Sequence, residues 1–445
     1  MNSRLPHILL FAAGLLLSAC GSDGTDIGGS PALDPAAITF SAISGADSTA
    51  TRAKGQINSI GDLQAQPTGF GVFASYTGAL RYGSSNVRPN FMLNQQVVYG
   101  ETIDHTTWSY SPLKYWPNGE GDATGEGMGE IAHHVSFFAY APWSDLVTTS
   151  SSSHAPANCI TRCSETYDEG DPWLYYRIAG TAGSDPTAQQ VDLLYAVCDY
   201  AHYGSFDGLC NIDLTKPEVS QRVKFLFHHA LGCVGDRVTI TAASDLREMM
   251  QKNYGSYKKV ELRLLEVKID YLLTSGARLT LWNRDDAPNW QADTEHNVKT
   301  TRSVTLLPSD SSEGSYTVIP KTGSDPAYEE AKESWTNEGN GVFYIPVEGD
   351  DYVQSATVTV KYCLRLYTDV TGDGVYTTSP VTPLEGSITI PFRDYIATSE
   401  AHGRNLNINI RISATGDIIA TVDVVNVEKN LWTVLPKTDP KVYNW

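Results

Sequence analysis

The chain has 445 residues, of which 41% are hydrophobic and 10% aromatic, with 37 glycines and 22 prolines. That length exceeds one ordinary core, and many turn residues without long helical periodicity predict an all-β protein with two large domains. The formal net charge of -19 at pH 7 argues against nucleic acid as a partner, because phosphate binding needs clustered Lys and Arg.

The first residues have the pattern of an export signal. Arg4 precedes an apolar run at 8–17, which is too short to span a bilayer but suits a secretory signal peptide. The run ends as LSAC at Cys20, which resembles the bacterial lipoprotein box. This resemblance implies that 1–19 is a signal peptide and that Cys20 is the lipidated N-terminus of the mature protein. Several acyl chains would anchor it, because each buried methylene contributes about 0.8 kcal/mol.

Residues 20–36 are expected to form a flexible tether, because they hold mainly Gly, Ser and other small or polar side chains. Asp23 and Asp26 follow Cys20 and resemble the surface-export signal of Bacteroidetes lipoproteins. The expected location is therefore the cell surface, with a lipid anchor in the outer membrane. A lipoprotein that faces the periplasm remains the alternative.

The first half of the chain carries short strand patterns separated by turns. AITFSAI at 37–43 predicts a strand, and the polar stretch that follows it predicts an exposed loop. VDLLYAVCDY at 191–200 and VKFLFHHALGC at 223–233 predict two strands joined by a long loop, the first buried on both sides and the second half-buried. Further strand patterns are GFGVFASY at 69–76, PNFMLNQQVVY at 89–99, TTWSYSPLKYWP at 106–117 and HHVSFFAYAP at 133–142.

The second half reads as another set of short strands. Gly232 and Gly235 bracket a boundary that assigns 37–233 to an N-terminal domain and 236–445 to a C-terminal domain. One or two short helices are expected, at 244–254 and from Asp325 onward. The strand patterns are 260–269, ARLTLW at 277–282, YTVIP at 316–320, GVFYIPV at 341–347, SATVTVKYCLRLY at 355–367, GSITIPF at 386–392, NLNINIRI at 405–412 and IIATVDVVNV at 418–427.

This ordered series behind a lipoprotein box resembles the Bacteroidales fimbrillin family, close to its Mfa-like branch. The segments that carry the resemblance lie between Ile38 and Cys233: TRA at 51–53, GFGVFA, FMLNQQVVY, WSYSPLKYWP, VSFFAYAP, VDLLYA and VKFLFHHAL. The second half matches only in its general β pattern. The resemblance implies two transthyretin-like β-sandwich domains in tandem, and a lipoprotein that becomes part of a type V pilus, or fimbrium, together with other fimbrial subunits.

Arg52 is the candidate protease cleavage site. It lies in a polar stretch at 44–55, and exposed stretches of this kind are where proteases cut. The resemblance implies trimming here, since fimbrillins are cut by an Arg-specific protease in the corresponding loop. A cut would remove the strand at 37–43 and open an apolar groove for another chain's strand. The donor is either IIATVDVVNV or the tail through Trp445, and an ordinary solvated Arg52 is the alternative.

No catalytic, cofactor or metal site is predicted, and we expect no enzyme activity. H-E-x-x-H, G-x-S-x-G and Walker motifs are absent from the sequence. The doublets at 133–134 and 228–229 predict structural histidines, because neighbours on a strand point to opposite faces. The start of a calcium loop at 369–374 lacks the final Glu and predicts a hairpin turn instead.

Six cysteines follow Cys20, and their pairing is open between local disulfides and free thiols. Cys159 with Cys163, and Cys198 with Cys210, are near enough in sequence to pair. The full set is Cys159, Cys163, Cys198, Cys210, Cys233 and Cys363.

Five aromatic residues motivate an alternative function, a glycan-binding surface lipoprotein whose ligand is on a host or bacterial surface. Their rings could stack on sugars if they were exposed, although core packing is favoured because Trp and Tyr dominate buried contacts. They are Trp108, Tyr115, Trp116, Trp143 and Trp173.

Overall fold

The computed structural model describes most of the predicted strands and leaves out the N-terminal 36 residues, the C-terminal 14 and several internal segments. The described residues are 37–43, 57, 59–83, 87–100, 107–117, 133–146, 159–177, 191–196, 211–217, 222–242, 252, 259–273, 276–282, 288–292, 301–307, 315–319, 334–338, 341–346, 357–370, 376–378, 384–391, 404–414 and 420–431.

Nearly all of the regular structure is β, as the sequence predicts. In chain order the elements are β1 (Thr39–Ile43), α1 (Ile60–Gln64), β2 (Phe70–Gly78), β3 (Met92–Tyr99), β4 (Trp108–Ser109), β5 (His134–Ala141), β6 (Ile160–Cys163), β7 (Trp173–Arg177), β8 (Leu194–Ala196), β9 (Arg222–His229), β10 (Gly232–Ala242), β11 (Lys259–Leu273), β12 (Gly276–Thr280), β13 (Asn289–Ala292), β14 (Thr301–Leu307), β15 (Ser315–Ile319), β16 (Ser334–Glu338), β17 (Val342–Tyr344), β18 (Thr357–Val370), β19 (Tyr376–Thr378), β20 (Leu384–Pro391), β21 (Arg404–Ala414) and β22 (Ala420–Leu431).

The N-terminal half forms a seven-stranded sheet in the order β1-β9-β8-β5-β2-β3-β4. β1 runs parallel to β9, whereas every other pair of neighbours in this sheet is antiparallel. The prediction that the stretch 191–233 forms two facing strands is confirmed, because β8 pairs with β9 from Leu194 opposite His229 to Ala196 opposite Phe227. All three residues of β8 are buried, as expected for a strand covered on both faces.

The two edges of this sheet approach each other. Ala37, just before β1, forms an isolated bridge with Tyr115, which follows β4. The N–H of Ile38 donates to the carbonyl oxygen of Lys114 at 2.9 Å. The sheet therefore curls around one apolar core, and β1 lies at the seam.

One short helix, α1, contributes to this core and was not predicted. Ser59 is its N-cap, and the Ser59 hydroxyl accepts a hydrogen bond from the N–H of Asp62 at 3.1 Å. Leu63 on the helix is buried. The Ser-x-x-Asp spacing was the available signal, because it resembles a capping box. The predicted helices at 244–254, apart from Lys252, and from Asp325 onward lie outside the described residues.

The remaining strands form three further sheets. β10 is central to one that also contains β16, β17, β21 and β22, and β11 pairs with β14, β15 and β18 in another, which β19 and β20 extend. Among the residues that the structure describes, no helix has the length and hydropathy that a membrane crossing requires.

A four-stranded sheet connects the two halves of the chain. Its order is β13-β12-β7-β6, so β7 from the first half pairs with β12 from the second, from Arg177 opposite Gly276 to Trp173 opposite Thr280. The predicted boundary at 233–236 falls within β10, at an irregularity where the pairing with β21 shifts register between Val234 and Val238. The division into domains stays a prediction, and a hydrogen-bonded sheet crosses it.

Candidate functional site

The candidate site is β1 together with the groove that it fills in the seven-stranded sheet. Its central side chain is Phe40, which is 2% exposed. The Phe40 ring stacks on that of Phe225 with centroids 5.6 Å apart, and it lies 5.2 Å from the ring of Tyr110. The rings of Phe137 and Phe70 meet it edge-on at 5.9 and 6.5 Å. Phe40 is thus enclosed by four aromatic rings from other parts of this half of the chain.

The period of two in β1 sends alternate side chains into this groove. Ile38 and Phe40 are buried members of the core, and Ala42 packs against it. Fully burying an Ile and a Phe side chain contributes about 3–6 kcal/mol in total. β1 is therefore held chiefly by its inward apolar side chains.

The outward side chains of β1 are less well satisfied. The Thr39 Oγ1 and Ser41 Oγ atoms are buried but have no hydrogen-bond partner among the described residues. A buried hydroxyl without a partner costs about 1–3 kcal/mol. These two residues weaken the attachment that Ile38 and Phe40 provide.

The backbone of β1 is paired unequally on its two sides. β9 pairs with it over all five residues, from Thr39 opposite Arg222 to Ile43 opposite Leu226. On the other side the described backbone hydrogen bonds lie at the N-terminal end, where the Tyr110 hydroxyl donates to the carbonyl oxygen of Ile38 at 2.9 Å. Among the described strands β9 alone pairs with Thr39–Ile43, so β1 is an edge strand in the order of the sheet.

The two predicted processing residues, Cys20 and Arg52, both lie outside the described residues. Arg52 falls between Ile43, the last residue of β1, and Ile57, where the described chain resumes. Ile57 is buried in the same core as β1. A cut at Arg52 would thus separate two segments that both pack into one apolar core.

The five aromatics proposed for glycan stacking are mostly engaged in packing. Trp116 is a buried member of the core, Trp108 packs on Phe70 with centroids 4.8 Å apart, and the Trp143 Nε1–H donates to the Asn94 carbonyl at 3.0 Å. The guanidinium of Arg278 lies 4.6 Å from the Trp173 ring. Tyr115 is the one with a largely exposed side chain, at 48%. The core-packing interpretation is therefore correct for Trp108, Trp116 and Trp143.

The described histidines have structural partners. His133 Nδ1 lies 2.6 Å from the Tyr76 hydroxyl, and His134 Nδ1 lies 3.1 Å from the Asp213 carbonyl oxygen. His229 Nδ1 lies 2.8 Å from Asp192 Oδ2. Burial, and secondarily the neighbouring His229, lowers the pKa of His228 to about 4. Within the described ranges, no three metal-ligating side chains form a group that could hold an ion.

The proposed disulfide between Cys159 and Cys163 does not form. Cys163 ends β6 and Cys159 directly precedes that strand. Burial, and then Glu165 and Asp168, raises the pKa of the Cys163 thiol to about 12. Cys233 and Cys363 are buried and form no disulfide. Cys198 and Cys210 lie outside the described residues.

The hairpin predicted in place of a calcium loop is consistent with its flanking strands. β18 and β19 pair antiparallel, with Val370 opposite Tyr376. The turn residues between them, 371–375, lie outside the described part of the chain.

No protein-family model and no curated protein matches the chain. Among solved structures it is similar to a fimbrial protein from Bacteroides vulgatus, with a TM-score of 0.55 and 20% sequence identity over 89% of this chain and 99% of that one. It also aligns with the fimbrial anchor protein Mfa2 from Porphyromonas gingivalis, over 82% and 90% of the two chains at 11% identity. The TM-score of that second alignment, 0.25, is too low to indicate a shared fold by itself. The first likeness establishes the architecture: this chain has the fold of a Bacteroides fimbrial protein.

Proposed function

We propose that this chain is a fimbrial subunit or a fimbria-associated adhesin, which is exported as a lipoprotein and assembles on the cell surface by strand exchange. The observation that carries the proposal is the position of β1. It is a parallel edge strand at the seam of a curled sheet, and it places Phe40 in an aromatic groove. Loss of β1 would expose that groove together with the free edge of β9, and a strand from another subunit would fill both.

The groove specifies the kind of strand that fits. A replacement for β1 needs apolar side chains at alternate positions, with a large one at the place of Phe40 and a small one at the place of Ala42. A replacement that took the same course would run parallel to β9, as β1 does. A donor with apolar outward residues in place of Thr39 and Ser41 would avoid the two unpaired hydroxyls, so exchange could be favourable.

Trimming at Arg52 would make the exchange irreversible in practice. Cys20 and β1 are both N-terminal to Arg52, so one cut would separate the lipid anchor and β1 from the rest of the chain. The trimmed subunit would then be free of its own membrane anchor and would carry an open groove. Subunits that stay uncut would remain on the membrane with their grooves filled.

We infer that residues 432–445, rather than β22, supply the donor strand. β22 pairs with β21 from Leu431 opposite Arg404 to Ala420 opposite Ala414. Recruitment of β22 to another subunit would break this ladder. Removal of 432–445 should therefore abolish assembly while the subunit keeps its groove.

The test compares Arg52→Ala with Arg88→Ala in cells that carry the full-length gene. Arg88 is an exposed arginine elsewhere in the same half of the chain and serves as the matched control. The readout is the amount of subunit in sheared, sedimentable surface filaments, imaged by electron microscopy. We expect Arg52→Ala to lose filaments and Arg88→Ala to keep them, and filaments of normal number and length in Arg52→Ala would refute the proposed trimming.

A further inference from the structure

A buried carboxylate holds the chain on the far side of the candidate cleavage site. Asp192 is 0% exposed and follows Val191 on the approach to β8. Its Oδ2 accepts a hydrogen bond from the backbone N–H of Ile57 at 3.1 Å and lies 2.8 Å from His229 Nδ1. His229 is also buried, at 3%. One carboxylate oxygen thus joins β9 and the segment before β8 to a segment that is distant in sequence.

The segment that Asp192 holds is part of the core in its own right. Ile57 is 3% exposed and Leu63 on α1 is 2% exposed, and both belong to the cluster that contains Phe40. Ile57 and Leu63 therefore line the same core that β1 completes. In the sequence, Arg52 lies between β1 and the segment that begins at Ile57.

β1 and the segment that begins at Ile57 are attached to the rest of the fold by different sets of interactions. β1 is attached by apolar side chains and by backbone pairing with β9, while its hydroxyls at Thr39 and Ser41 remain without partners in the described structure. Ile57 and Leu63 are also held by buried apolar side chains, and Ile57 has in addition a hydrogen bond from its N–H to the Asp192 carboxylate.

Stability alone gives a poor explanation of this arrangement. Taking a carboxylate out of water is costly, so burial of this side chain does not by itself stabilise the fold. A buried group of this kind is explained when it fixes the position of one backbone segment. The position fixed here is the start of the segment that remains after a cut at Arg52.

We propose that Asp192 and His229 form a clamp on Ile57 that retains Ile57 and Leu63 in the core when β1 leaves. The inference rests on the proposed strand exchange. It divides the N-terminal region into a part that is replaced, β1, and a part that stays as a wall of the groove, Ile57 and Leu63. An incoming donor strand then meets a groove of fixed shape and needs to replace β1 alone.

The test measures amide hydrogen exchange by mass spectrometry in the full-length chain, with a specific protease site inserted between residues 47 and 52. In the wild-type background, cutting should raise deuterium uptake at 38–43 and leave uptake at 57–65 unchanged. Asp192→Ala should raise the exchange rate at 57–65 by about tenfold or more even before cutting, because the acceptor for the Ile57 N–H is lost. Asp192→Asn keeps an acceptor oxygen and should restore part of the protection.

Two controls separate a clamp from general loosening of the fold. His228→Ala alters the neighbouring histidine, which contacts Tyr195, and should leave 57–65 protected, whereas His229→Ala should not. Peptides from β2 and β5 report the integrity of the sheet and should stay protected in every variant. Uptake at 57–65 that rises together with uptake at 38–43 in the cut wild type, or that is unchanged in Asp192→Ala, would overturn the clamp. Failure of the cut chain to form filaments with 57–65 still protected would instead count against the strand-exchange function and leave the clamp standing.

Discussion

Phe40→Ala tests most sharply what holds β1 in its groove. The substitution removes a 2% exposed ring from contact with four other aromatic rings and leaves a cavity that these rings can close only in part. Phe→Ala changes in cores cost about 3–5 kcal/mol of unfolding free energy. Burial of Ile38 and Phe40 together contributes about 3–6 kcal/mol, so the loss is comparable with the whole apolar attachment of β1.

We therefore expect Phe40→Ala to release β1 locally while the rest of the sheet stays folded. Amide exchange at 38–43 should accelerate by about 10²–10³-fold, since each 1.4 kcal/mol is a factor of about ten. Peptides from β5, which is buried along its full length, should exchange as in the wild type. Leu80→Ala is the control, because that side chain is 55% exposed. Wild-type protection at 38–43 in Phe40→Ala would refute the claim that Phe40 anchors the strand.

Three further predictions concern β1, pH and the anchor. Thr39→Val should stabilise β1 by about 1 kcal/mol and slow its amide exchange, because it removes a buried hydroxyl without a partner. Thr77→Val should lower the stability of the protein, because it loses a 2.6 Å hydrogen bond to the Leu80 carbonyl. Urea unfolding that finds Thr77→Val more stable than Thr39→Val contradicts this. The pKa of His228 is about 4 in the folded state and 6.5 in the unfolded state, so the unfolded state binds the proton first. The free energy of unfolding should therefore fall as pH drops from about 6.5 to about 4. His228→Phe should flatten that part of the curve of stability against pH, and an unchanged slope would disprove the assignment. Cys20→Ala should leave an uncleaved or mislocalised precursor that takes up no palmitate, and continued labelling would show that Cys20 is not the acylated residue.

The local patterns in the sequence were sufficient for the strands near β1. Alternation at 37–43 predicted β1, and the runs around 194 and 225 predicted β8 and β9, because a period of two depends on nothing beyond the strand itself. The pairing partners of these strands could not be predicted from local patterns. The parallel pairing of β1 with β9 joins residues far apart in sequence, and no local signal specifies such a register.

The same limit applies to the contacts that define the site. Asp192 reads as an ordinary polar residue in an apolar run, and its bond to Ile57 depends on a fold in which residues 135 positions apart meet. The pairing of β7 with β12 across the predicted domain boundary is another contact between distant strands. α1 was missed for the opposite reason, since its five residues are too few to show a helical period and its only signal was the Ser59 cap.

The most direct test of the account is the intact mass and N-terminal sequence of the subunit isolated from assembled filaments. Strand exchange after trimming predicts a chain that begins at Ala53, carries no lipid and lacks β1. The same measurement on membrane-bound, unassembled subunit should give a lipidated chain that begins at Cys20. Filament subunits that retain Cys20, its lipid and residues 37–43 would contradict the proposed assembly by replacement of β1.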